Sequence, residues 1–162
     1  MNLNLNELVQ QVNGEFAERF EGRNLDLICI LQPEPLLIRA DSRRIWRVLE
    51  NLYVNVCKYA MPGTRVYVDA IKKDGKIQLS IKNISENPLN FQADELTERF
   101  IRGDVSRSTE GSGLGLSIAK NLTVLQHGSF NIYLDGDLFK VTITFDEAVK
   151  EKKPMPPMIV PE

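Results

Sequence analysis

Two β-prone segments, TRVYVDAIK (64–72) and KIQLSIKNI (76–84), meet across a Lys-Asp-Gly turn. No other feature constrains the fold as much. Asp-Gly between two such runs favours a tight turn whose central residues take positive φ, so the segments pair as an antiparallel hairpin. Around them, helical and β-prone stretches follow in no regular alternation. Leu5, Leu8, Val9, Val12, Phe16 and Phe20 recur at helical spacing and predict an amphipathic helix over 5–21. Leu25–Leu31 is apolar and β-prone and ends at the QPEP turn (32–35), after which a short LLIRA strand follows. Asp41 or Ser42 can cap a long helix that runs to about Ala60 and stops at Met61-Pro62-Gly63. Another helix is predicted from Gly113–Leu114 to about Gln126, then two closing strands, SFNIYLDG and DLFKVTITF. Lacking a repeated β-α-β unit, the expected architecture is α+β: helices on one face of a mostly antiparallel sheet.

A chain of 162 residues is enough for one domain and buries enough surface to need no disulfide or metal staple. Lys and Arg total 20 against 22 Asp and Glu, so there is no basic field for a polyphosphate backbone and no nucleic-acid partner is expected. The longest purely apolar run, LICIL (27–31), falls far short of the ~20 residues of a membrane helix, and MNLNLNELVQQ lacks the features of a signal peptide. Cys29 and Cys57 stand in apolar stretches with no redox or zinc spacing, and are expected as reduced core residues of a cytoplasmic protein with no direct membrane contact. From Ser85 to about Ser112 the chain is polar and rich in charge, Ser and Gly, and a loop of that length inside a domain reads as a functional lid, here about 87–112. The expected domain is 1–146, followed by a Pro-rich flexible tail over 147–162.

Two clusters carry the chemistry. On the second helix, Ile45, Val48, Leu49, Leu52 and Val56 form a core stripe, with Asn51, Asn55, Lys58 and Tyr59 in a second stripe beside it. Asn is a poor residue inside a helix, so two of them one turn apart beside Lys and Tyr fit either the wall of a ligand pocket or a solvated face. The other cluster is GSGLGLSIAK (111–120), where Gly111, Gly113 and Gly115 lead into a helix. Free N–H groups at a helix start, with glycines that let backbone approach an anion, make a phosphate cradle; a flexible hinge is the competing reading. It is no Walker loop, since the GK[ST] ending is absent, and no dinucleotide fingerprint, since no strand precedes it.

Taken in order, ENLYVNVCKYA (50–60), ERFIRGD (98–104) and GSGLGLSIAK resemble the ATP-binding catalytic domain of sensor histidine kinases, within the superfamily of DNA gyrase, heat-shock chaperones and mismatch-repair proteins. The resemblance covers about residues 5–146. It implies a two-layer α/β sandwich of Bergerat type, with a mixed, mostly antiparallel sheet and a mobile lid over ATP. Asn51, Leu52, Asn55, Lys58 and Tyr59 match the family's N box; Phe100 and Arg102 match its F box; Gly111, Gly113 and Gly115 match its second glycine box, with Leu114 and Leu116 between and after them. One motif departs. Where the family carries DxGxG, with an Asp that accepts from the adenine amino group, this chain has IKNISENPLN, with Asn83, Ser85 and Asn87 in place of Asp, Gly and Gly. An amide oxygen still accepts a hydrogen bond but lacks the charge that makes it about twofold stronger. Either a working kinase with altered adenine recognition or a degenerate, non-catalytic module is consistent with this, and the three retained motifs favour the kinase.

The resemblance implies that Asn55 holds Mg²⁺ through its amide oxygen, that Asn51 supports the phosphate or metal side, that Lys58 neutralises phosphate charge and that Tyr59 packs beside ribose or base. Arg102 and Arg107 lie in the lid, within reach of phosphates on closure. ATP-hydrolysing relatives carry a water-activating Glu where this chain has Asn51, and Glu50 is about 100° around the helix. Transfer to a protein acceptor is therefore favoured over hydrolysis. The implied acceptor is a histidine on a separate dimerisation hairpin of a parent kinase, expected to precede this segment, with a response regulator downstream and the parent anchored in a membrane. An anti-sigma-factor-type serine kinase is the alternative within the superfamily. The single histidine, His127, reads as a helix C-terminal residue followed by a glycine cap at Gly128.

Overall fold

The computed structural model describes residues 2–89 and 114–148. Among these residues are three helices, α1 (Leu5–Gly22), α2 (Ser42–Tyr59) and α3 (Leu114–Leu125), and seven strands: β1 (Asn2–Asn4), β2 (Asp26–Leu31), β3 (Leu37–Arg39), β4 (Arg65–Lys73), β5 (Lys76–Ile84), β6 (Ser129–Asp135) and β7 (Leu138–Asp146). Five strands form one sheet in the order β2-β4-β5-β7-β6, antiparallel except for the parallel β2–β4 pair. The architecture is the expected α+β: alternate residues Val66, Val68, Ala70, Ile77, Leu79, Ile81, Val141, Ile143 and Phe145 are buried and join one core with the helices' apolar faces. Their neighbours Arg65, Ile71, Gln78 and Tyr133 stand on the exposed opposite face.

The hairpin is closed by Asp74 (φ 53°) and Gly75 (φ 75°), two positive φ values in succession, as the Asp-Gly pair predicts. The cap of α2 is Asp41, whose carboxylate accepts from the N–H groups of Arg43 at 2.9 Å and Arg44 at 3.3 Å. All five residues of the predicted α2 stripe are buried, together with Tyr53, whose ring stacks on Phe20 at 5.6 Å and meets Phe16 edge-on at 5.4 Å. Cys57 is buried and Cys29 half-buried, both unpaired.

Three features differ from the sequence reading. Residues 2–4 are a strand, β1, paired with β3, and their Asn4 side chain caps α1 by accepting from Asn6 N–H at 3.1 Å. The domain also runs past residue 146: Glu147 N–H donates to Gly75 O, its carboxylate pairs with Lys72 at 3.0 Å, and Ala148 N–H donates to Leu37 O. The tail expected from 147 therefore begins no earlier than 149, and the rest of it lies outside the described residues. Finally, the left-handed residue that ends α3 is His127 (φ 66°), not Gly128. His127 N–H donates to Val124 O and Gly128 N–H to Thr123 O, the paired bonds of a left-handed helix end. Gly128 is required for space instead, because a Cβ there would lie 2.5 Å from the Phe145 ring.

Candidate functional site

Along α2, Asn51, Asn55 and Tyr59 are half-buried and Lys58 is exposed, all beside the fully buried stripe. From Asn51 to Tyr59 the helix rises about 12 Å at 1.5 Å per residue. Each end of this polar row meets another element.

At its start lies the first turn of α3. A Cβ placed on Gly115 would come 3.8 Å from Asn51 Oδ1 and 3.9 Å from Asn51 O, an ordinary van der Waals separation. Packing against Asn51 therefore leaves room for a Cβ and does not by itself require a glycine at 115. The N–H groups of the first turn have no acceptor within the helix, so this end is a donor-rich, partly positive site. Asn51 Nδ2 is buried and has no hydrogen-bond partner among the described residues. Leu116 is 1% exposed and belongs to the core, so its side chain is unavailable and only its backbone can meet a ligand.

At the far end the helix is stitched to the sheet. Ala60 leaves the helix with extended backbone (ψ 140°) and bridges Ser85; Met61 N–H donates to Ile84 O and Glu86 N–H to Tyr59 O, each at 2.8 Å. Ser85 N–H donates to Asp137 O at 2.7 Å, tying the same segment to the β6–β7 turn. Asn83 stands two residues before this junction, in register with Phe139 and on the helix-facing side with Leu79 and Ile81. It is 3% exposed, and its Oδ1 is sealed from solvent with no donor among the described residues. A buried amide oxygen left unpaired costs about 1–3 kcal/mol, and none of the described residues offsets that cost here.

Sequence reasoning missed Arg23. From the end of α1, its Nη2 donates to Ala60 O at 3.0 Å and lies 3.7 Å from the Glu86 carboxylate, bracing the junction that carries Tyr59 and Asn83. Its partners are far along the chain and leave no local pattern. Close by, burial pushes the Cys57 thiol upward in pKa, with Arg19 and Arg23 pulling it down more weakly. Glu50 is exposed and accepts from Trp46 Nε1 at 3.3 Å, turned away from the Asn51–Asn55 row as its helical angle predicted. Of the other expected site residues, Arg102, Arg107, Gly111 and Gly113 lie outside the described residues, as does most of the expected lid and the side chain of Leu114. Among the described residues no group of three His, Cys, Asp or Glu is placed to hold a metal, and no helix is long and apolar enough to cross a membrane.

The chain belongs to the family described as histidine kinase-, DNA gyrase B- and HSP90-like ATPases, whose model matches residues 40–149. Within that family its likeness is to sensor histidine kinases. It is 31% identical over 123 residues to the signal transduction histidine-protein kinase BaeS of Escherichia coli K12, covering 75% of this chain and 26% of that protein. The sensor histidine kinase RppB of Synechocystis is 29% identical over 130 residues, covering 79% and 29%. Among solved structures, the catalytic domain of histidine kinase ThkA superposes with a TM-score of 0.78 at 25% identity, covering 91% of this chain and 95% of that one. Full-length ShkA in complex with AMPPNP shares the fold, with a TM-score of 0.74 at 22% identity, covering 92% of this chain and 32% of that one. The chain spans less than a third of the length of these two curated relatives.

Proposed function

We propose that the chain binds Mg·ATP along the Asn51–Tyr59 row and serves as the catalytic domain of a sensor histidine kinase, passing the γ-phosphate to a histidine on a separate helical hairpin. The observation that carries this reading is the pair of buried amide atoms at the two ends of the row, Asn83 Oδ1 and Asn51 Nδ2, neither of which has a partner among the described residues. The distance between the ends suits a nucleotide lying with its base at the β5 end and its phosphates at the α3 end. Asn83 Oδ1 accepts from the adenine amino group. Tyr59 flanks the base or ribose. The free N–H groups of α3 and the Lys58 ammonium meet the phosphates. Asn55 offers its amide oxygen to Mg²⁺, a hard cation suited to neutral oxygen donors and phosphate. Bound Mg²⁺ supplies charge neutralisation on the phosphates; the protein's share is orientation and a fixed electrostatic environment, which is most of what phosphoryl transfer asks. An amide at position 51, where hydrolysing relatives have a carboxylate, supports transfer to a protein acceptor, because an amide takes no proton from water.

The acceptor hairpin, a response regulator and a membrane-anchored parent that holds this domain on the cytoplasmic side are part of the same proposal. ThkA, which shares the fold, has been solved in complex with the response regulator TrrA, and that supports such a partner here. Calorimetric titration with ATP, with and without Mg²⁺, tests the reading. Binding should strengthen with Mg²⁺, and Asn55→Ala should remove most of that gain while the circular dichroism spectrum stays unchanged. A variant that binds Mg·ATP like the native chain would show the metal assignment to be wrong; absence of any binding would leave a degenerate module.

A further inference from the structure

We infer that Asn83 makes this nucleotide site tolerant of six-oxo purines, so that inosine and guanosine triphosphates occupy it alongside ATP. The inference rests on the site being a nucleotide site and concerns which base it accepts. A carboxylate at this place would present acceptors only. An amide presents an acceptor and a donor, exchanged by a half-turn about the Cβ–Cγ bond, a broad, roughly two-fold torsion. Adenine carries a donor at its six position and hypoxanthine or guanine an acceptor. Oδ1 meets the first and Nδ2 the second.

Two features of the structure bear on whether that half-turn is free. Nothing among the described residues holds Oδ1, so none of them fixes the amide in one of its two orientations. The backbone around it is held, by Met61 N–H on Ile84 O, Ser85 N–H on Asp137 O and Glu86 N–H on Tyr59 O, so the side chain and not the strand makes the adjustment. The setting also makes the match matter. Asn83 is 3% exposed, with Phe139 opposite it in register and Ile81 on the same face, and no water shell is there to rescue a mismatched pair. An acceptor set against an acceptor in such a place loses its pairing outright, which is how a carboxylate would reject a six-oxo base.

Displacement of a fluorescent ATP analogue from the full chain in Mg²⁺, by ATP, inosine triphosphate and purine riboside triphosphate, tests this. Inosine differs from adenosine at the six position and in protonation of the adjacent nitrogen; purine riboside has no six substituent. ATP and inosine triphosphate should displace with midpoints within about tenfold of each other, and purine riboside triphosphate about five- to tenfold more weakly than both. Asn83→Asp should widen the ATP-to-inosine ratio by at least about tenfold. A native preference for ATP beyond about 100-fold, or an Asn83→Asp ratio equal to the native one, overturns the inference while leaving the site itself intact. Should Asn83→Asp fail to fold, the native chain decides: purine riboside triphosphate binding as tightly as ATP overturns it. Failure of every nucleotide to bind would refute the nucleotide reading and this inference together.

Discussion

Replacing Asn83 by Leu should make the nucleotide-free domain more stable and the nucleotide-bound one no better off. The two side chains share a branched outline of four heavy atoms, leucine being the bulkier, so the change is chemical first and steric second. In the native chain Oδ1 is stripped of solvent with no donor among the described residues, a loss of about 1–3 kcal/mol that leucine does not incur. Leucine also suits a position flanked by Ile81 and facing Phe139, although its branching forces some repacking of about 1 kcal/mol. The net is a gain of up to about 2 kcal/mol, at roughly 2–4 °C in Tm per kcal/mol for a domain near this size. Against the base, leucine strands the adenine amino group in an apolar setting, and nucleotide affinity should fall about 5- to 150-fold. Urea unfolding with and without saturating Mg·ATP reads both effects, since a ligand that binds only the folded state raises stability with its concentration over Kd. Without nucleotide the variant's midpoint should lie above the native one; with Mg·ATP the order should narrow or reverse. A variant less stable than native by more than about 1 kcal/mol without nucleotide would mean that Oδ1 is satisfied in the folded state, and the argument from the orphaned acceptor would collapse.

At the end of α3, His127→Gly should stabilise by about 1 kcal/mol, since a left-handed φ of 66° strains any side chain, whereas Gly128→Ala should destabilise by more than about 2 kcal/mol against the Phe145 ring; equal effects in thermal melts would mean the cap is assigned to the wrong residue. Burial pushes Tyr53 above its ordinary phenol value of 10.0 and Cys57 above the thiol value of 9.0, so the folded state holds these protons more tightly than the unfolded chain. The stability they contribute is complete below those values and is lost as pH rises, so the urea midpoint should fall from about pH 9 upward, with a shallower fall above about pH 10 in Tyr53→Phe; a flat profile to pH 11 would contradict this. Arg23→Ala removes the bond to Ala60 O and a half-exposed ion pair, and should lower stability by about 1 kcal/mol and weaken ATP binding a few-fold, measured by calorimetry, with partial rescue in Arg23→Lys; unchanged nucleotide affinity would show that the brace does not reach the site.

Local patterns were enough for most of the frame. Apolar spacing located α1, the buried stripe of α2 and the polar row of Asn51, Asn55, Lys58 and Tyr59 beside it, because helical period is written into neighbouring residues. The Asp74-Gly75 pair fixed the hairpin and its register, because positive φ at two successive positions is a property of those residues alone. Tertiary structure decided the rest. Whether Asn83 is a surface amide or a sealed acceptor with no donor among the described residues depends on Phe139 and the helix layer, which lie far along the chain. Arg23 acquires its role only when α1 brings it to Ala60 and Glu86. β1 exists because residues 2–4 find β3, a pairing too short to be stable by itself. Gly128 looked like a cap and is instead the gap that admits the Phe145 ring, since a helix-end glycine has the same local signature whether it is needed for its φ or for its missing Cβ.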